Sequence, residues 1–200
     1  MKFNKITFLA IFAVLVSLGY YHIYSQYGFN KYYSLSERID RKDMQPVGEI
    51  DRNFYLKQII KKSTLLEWVE QDGILCLSIL MANYNDRKNL GSFKVGLILD
   101  DKTQFVEVSA ETIKDNKEFI MCFEDFDASL LKDATEISIV IQGIDGVAGS
   151  SVTAWTTIDT TQGHIETIPQ RSLIYQFKTL DEAGDGNTSS LILALFSVAS

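Results

Sequence analysis

At 200 residues the chain has room for one domain and an anchor. Its 46% hydrophobic content and only two prolines exclude a disordered chain. Residues 1–26 hold two lysines and no acids, which leaves 17 basic against 26 acidic residues beyond them, a net charge of −9, and such a domain repels phosphate backbones and excludes nucleic acid as a partner.

The first element is the apolar stretch ITFLAIFAVLVSLGYYHIY, Ile6 to Tyr24, preceded by a short tail, residues 1–5, that carries Lys2 and Lys5. Its 19 residues fall within the about 17 to 25 of a bilayer-spanning helix. A cleaved signal peptide is the competing reading, but the apolar part runs long and no small-residue cleavage site follows it. Tyr20, Tyr21, Tyr24 and Tyr27 follow instead, rings of the kind that collect at a membrane interface. The stretch is therefore read as a single transmembrane signal-anchor, residues 6–24, with the N-terminus inside. Lys31, Arg38, Arg41 and Lys42 place positive charge on the far side as well, against the usual bias. Residues 25–43 are polar and rich in tyrosine, and read as a juxtamembrane stalk with a turn or two of helix in SLSERIDRKD.

From residue 44 to 200 the apolar residues recur at period two. In GSFKVGLIL, Phe93, Val95, Leu97 and Leu99 share one face, and Ser92, Lys94 and Gly96 the other. Ile137, Ile139 and Ile141 align in EISIVIQ, as do Leu173, Tyr175 and Phe177 in SLIYQFK. Asp100-Asp101-Lys102, Lys114 to Lys117, Asp145-Gly146 and Gly184 to Asn187 supply turns. LILALFSVAS is too short to span a membrane and reads as a closing core strand. Evenly spaced strands without long helical patterns predict an all-β fold, an antiparallel β-sandwich or jelly roll.

The order of motifs from Asp72 to Thr157 resembles the jelly-roll-like extracytoplasmic modules of bacterial membrane proteins that build surface polysaccharides. The resemblance is carried by a polar-aromatic loop, Ala82-Asn83-Tyr84 through Arg87, Asn89 and Gly91, and by a turn with Ile113, Asp115 and Asn116. An aromatic strand with Phe119, Phe123 and Phe126, a turn with Ser129, Leu130 and Lys132, and a strand with Val152, Thr153 and Trp155 complete it. Many such modules sit among numerous membrane helices, whereas this chain offers one. The resemblance thus implies a membrane-anchored, non-catalytic accessory protein with a carbohydrate-binding-like sandwich. The alternatives are a structural subunit docked on a polytopic glycosyltransferase and a glycan-active enzyme.

The residues themselves offer little catalytic chemistry. His22 lies in the anchor and His164 in a polar loop, so neither a histidine metal cluster nor a Ser-His-Asp triad assembles. GIDGVAG, Gly143 to Gly149, lacks the spacing of a dinucleotide or phosphate loop and reads as a sandwich loop. Glu124, Asp125 and Asp127, and the segment Asp181 to Asn187, are acidic clusters without calcium-loop spacing; no metal or cofactor is assigned. Cys76 and Cys122 lie in apolar strands, where cysteines behave as small hydrophobes; that reading is favoured, with a disulfide as the alternative.

The candidate ligand site is the loop with Asn83, Tyr84, Arg87 and Asn89, together with the ring of Trp155; Trp68 is a further large ring. Rings stack on the apolar faces of sugars while amides and guanidinium groups bond hydroxyls. On the bland reading Trp155 and Tyr84 cover the core, and Arg87 pairs with Asp86 or a backbone carbonyl. If the loop stands free, replacing Tyr84 and Arg87 together leaves stability nearly unchanged.

Overall fold

The structure is a computed structural model that describes residues 35, 39–63, 65, 75–85, 87–123, 129–179 and 191–194. The segment Ile6 to Tyr24, Trp68 and both acidic clusters lie outside the described residues. Leu35–Ser200 forms one compact unit.

Among the described residues, twelve strands make two sheets. The first holds β1 (Gln45–Pro46), β3 (Leu75–Ala82), β6 (Lys117–Phe123), β8 (Thr153–Thr157), β10 (Ser172–Leu173), β11 (Tyr175–Thr179) and β12 (Leu191–Ala194). The second holds β2 (Tyr55–Ile60), β4 (Ser92–Leu99), β5 (Lys102–Ser109), β7 (Ile137–Gly143) and β9 (Gly163–Ile165). The described residues are thus mostly strand, with a five-residue helix α1 (Ser129–Asp133) and short 3-10 turns between strands.

The first eight strands form nested antiparallel pairs around the turn at Asp100 and Asp101: β4 with β5, β3 with β6, β2 with β7 and β1 with β8. Asp100 takes a left-handed φ of 53°, which an aspartate tolerates in a tight reversal. Folding this long double ribbon over itself gives the orders β1-β8-β3-β6 and β5-β4-β7-β2, with β9 added beside β2. Strand β8 pairs with β3 only at Met81 and Ala82 and then diverges. The β10–β11 segment fills the fork, meeting β8 at Ser172 and Leu173 and β3 from Tyr175 onward. One pairing departs from the antiparallel expectation: the closing strand β12 runs parallel to β6.

The alternating patterns point as the sequence requires. Phe93, Val95, Leu97, Leu99, Ile137, Ile139, Ile141, Leu173, Tyr175 and Phe177 all join the main core between the sheets. Strand β3 is different, because all eight of its residues are buried. Its odd-numbered side chains enter the main core, while Cys76, Leu80 and their neighbours pack on the outer face of the sheet. There Leu35, Ile39 and Met44 lie against Leu80, Ile174 and Trp155. Asp40 caps the 3-10 turn Arg41–Asp43 by accepting the Lys42 N–H. The region read as a stalk is described only at Leu35 and from Ile39 onward, and those residues rest on the domain.

Cys76 and Cys122 are directly opposed across β3 and β6, with Cα atoms 3.9 Å apart, and form a disulfide. This corrects the reading of two free hydrophobes. Burial was rightly inferred, since neither residue is accessible, but cross-strand register brings the sulfurs together.

Candidate functional site

The chain segments after β1, β3 and β7, and the turn before β6, gather at one end of the sandwich. Their close approach depends on missing side chains. A Cβ on Gly143 would collide with the Asp51 carbonyl oxygen, and one on Gly91, at φ 89°, would lie 2.8 Å from the Gly146 backbone. GIDGVAG is therefore a packing loop in which Gly143 and Gly146 admit neighbouring backbone.

Within this end the sequence-predicted residues form one hydrogen-bonded chain. Arg87 donates from Nε to Asn89 Oδ1 at 2.9 Å and from Nη2 to Glu49 Oε1 at 2.8 Å and to the Ser151 carbonyl. Asn89, 2% exposed, donates to the Asn83 carbonyl. Asn83, 7% exposed, donates its side-chain amide to the Ile113 carbonyl and its backbone N–H to Asp115. Asn116 donates to Asp115, and Trp155 Nε1 donates to Asn116 Oδ1 at 3.0 Å. Asn83, Arg87, Asn89 and Trp155 are thus linked through intramolecular bonds, part-buried or buried at Arg87, Asn89 and Asn83 and exposed at Asn116 and Trp155.

Tyr84 is the exception. Tyr84 and Asn85 take consecutive left-handed conformations, φ 58° and 64°, which hold the tyrosine out at 37% exposure. A bulky residue pays roughly 1 kcal/mol in that region. The Arg87 guanidinium, 4.7 Å from the ring centroid, offsets part of that cost by a cation–π contact.

The carboxylates at this end are suited to holding structure. Burial acts to raise the Glu49 pKa, but the Gly149 N–H and the Arg87 hydrogen bond and charge outweigh it and leave the group below its ordinary value. The Ser92 N–H and hydroxyl likewise hold Asp145 down. Both acids are ionised at neutral pH and make poor proton donors. Among the described residues no group of three metal-binding side chains comes together.

Sequence reasoning missed Glu49 and Ser151 and read Asp115 only as a turn residue; they tie the loop down from 38, 64 and 32 residues away. Arg87 pairs with a backbone carbonyl, that of Ser151, as the bland reading has it, and this geometry changes the result expected of a free loop. Arg87→Ala removes the donor to the buried Asn89 Oδ1 and to the Ser151 carbonyl and leaves Glu49 with the Gly149 N–H, a loss of about 2 kcal/mol in urea unfolding. Tyr84→Ala alone should stay within about 0.5 kcal/mol. Equal, small effects for both would show that the clasp contributes nothing.

Comparison with known proteins finds no match among family models, curated proteins or solved structures.

Proposed function

We propose that this chain is a membrane-anchored, non-catalytic accessory protein of bacterial cell-surface polysaccharide assembly, with a jelly-roll domain outside the cytoplasm that binds carbohydrate. The observation that carries the reading is the Cys76–Cys122 disulfide, because such bonds form and persist in oxidising compartments. The nested strand order, β1-β8-β3-β6 over β5-β4-β7-β2, supports the jelly-roll assignment. The anchor rests on the apolar sequence from Ile6 to Tyr24; among the described residues no helix is long and apolar enough to cross a membrane.

The test is fractionation of cells producing the full chain. The mature protein should stay with membranes in high salt, since screening releases electrostatic attachment and leaves a hydrophobic helix in place. Protease added outside the inner membrane should digest the domain, and its cysteines should resist alkylation until reduced. A soluble mature chain beginning after Tyr20 would replace the anchor by a signal peptide. A protease-protected domain with free thiols would overturn the location.

One observation favours a second reading, docking on a polytopic transferase. The polar groups of the loop end are engaged internally, while Leu90, Ile144 and Val147 stand exposed there. Co-purification of a membrane protein that is lost on replacing these three residues, without any glycan binding, would select it.

A further inference from the structure

The opposite situation holds on the outer face of the five-stranded sheet. Register places Glu107 of β5, Lys94 of β4, Gln142 of β7 and Tyr55 of β2 side by side across four strands. Strands lie about 4.8 Å apart, so the row spans about 14 Å, the scale of a short oligosaccharide. All four side chains belong to the face turned away from the core, since Val106, Val95, Ile141 and Leu56 beside them point inward. Tyr55 is 58% exposed. Lys57, in the neighbouring row, is held by Glu136 at 2.8 Å and Glu166 at 3.2 Å, whereas Lys94, Glu107, Gln142 and Tyr55 make no hydrogen bond or ion pair with another described side chain. Phe105 completes the strip: its ring lies over Gly96, where a Cβ would collide with it, and remains partly exposed.

We propose that this strip is a binding platform for a neutral oligosaccharide of hexose or N-acetylhexosamine units, a proposal that rests on the reading that the sandwich binds carbohydrate. Two exposed rings offer surfaces for the apolar faces of pyranoses, and an amide, an ammonium and a carboxylate between them bond hydroxyls. Lys94 and Glu107 cancel within the row, while the chain beyond Gln26 carries −9. That field disfavours uronate or phosphate polymers and leaves neutral glycans as the matching ligand. The interruption of the rings by polar side chains distinguishes the strip from an apolar protein-docking patch.

The experiment is titration of the full chain with tetrasaccharides of glucose, of N-acetylglucosamine and of glucuronate. A neutral tetrasaccharide should bind and the glucuronate one should not. Tyr55→Ala should weaken binding about tenfold and Gln142→Ala about fivefold, while Tyr84→Ala leaves it unchanged. Tyr55→Ala and Gln142→Ala should melt at the wild-type temperature, because these two side chains make no hydrogen bond or ion pair with another described side chain. Glycan binding that fails with Tyr84→Ala and survives Tyr55→Ala overturns the platform and keeps the carbohydrate reading. Preference for glucuronate overturns the neutral ligand. Absence of binding to all three overturns the platform and the carbohydrate reading together. A dimer that dissociates with Tyr55→Ala, without glycan binding, assigns the face to a second copy.

Discussion

Replacing Cys76 and Cys122 together with alanine is expected to cost about 4 kcal/mol in unfolding free energy. The bridge joins residues 46 positions apart, and closing a loop of that size removes about 4 kcal/mol of chain entropy from the unfolded state. Both sulfurs are inaccessible and pack with Ile120 on the outer face of the first sheet, so solvent does not replace the lost contact. For a chain of this size the loss should lower Tm by about 12 °C. Urea unfolding should show a lower midpoint, and reduction of the unfolded wild-type chain should reproduce it. A loss below about 1 kcal/mol would show that the denatured chain already holds this loop together without the bridge.

The bridge also shows which information was present in the sequence and which was not. Period-two patterning marks inward positions wherever one face of a strand is buried, so the core residues of β4, β7 and β11 were legible. Strand β3, buried on both faces, carries no alternation to read. Pairing of the cysteines depends on register between strands far apart in sequence. One signal for it existed: in the nested ribbon, paired residues stay nearly equidistant from the Asp100–Asp101 turn, as Leu99 with Lys102 and Leu75 with Phe123 do. Cys76 and Cys122 satisfy that rule. It can be applied only once the ribbon is known to fold back as one piece.

The candidate loop was legible in its chemistry and not in its commitments. Asn83, Arg87 and Asn89 were visible as polar residues outside the apolar pattern, yet Asn83 and Arg87 also take partners from distant segments, Ile113 and Glu49, while Asn89 bonds within the loop. The Glu107, Lys94, Gln142 and Tyr55 row was invisible for the converse reason. Each residue reads alone as an ordinary wet position, and only the register across four strands joins them.

Glu118→Ala is expected to cost about 3 kcal/mol and to loosen the segment that leads into the domain. The carboxylate lies on the outer face of β6 and accepts from three elements: Lys178 Nζ of β11 at 2.7 Å, the Ser78 hydroxyl of β3 at 2.8 Å and the Leu35 N–H at 2.7 Å. The side chains of Glu118 and Lys178 are only 13% and 18% exposed, so truncating the acid strands a largely buried ammonium and two further donors. Burial acts to raise the Glu118 pKa, but the Lys178 hydrogen bond, the Leu35 N–H, the Lys178 charge and the Ser78 hydroxyl together leave it below its ordinary 4.5. A carboxylate with a lowered folded-state pKa binds its proton more readily when unfolded. Its contribution is therefore complete above pH 4.5 and is lost as the pH falls through the folded-state value. Glu118→Gln should cost less than alanine, because its carbonyl still accepts, and should remove this part of the acid sensitivity. Adding Lys178→Ala to Glu118→Ala should cost less than the sum of the two single changes, since the stranded charge disappears with it. Hydrogen exchange at the Leu35 amide should speed up in Glu118→Ala more than in Lys178→Ala. Additive single effects with an unchanged Leu35 amide would show that the carboxylate does not fasten this segment to the sheet.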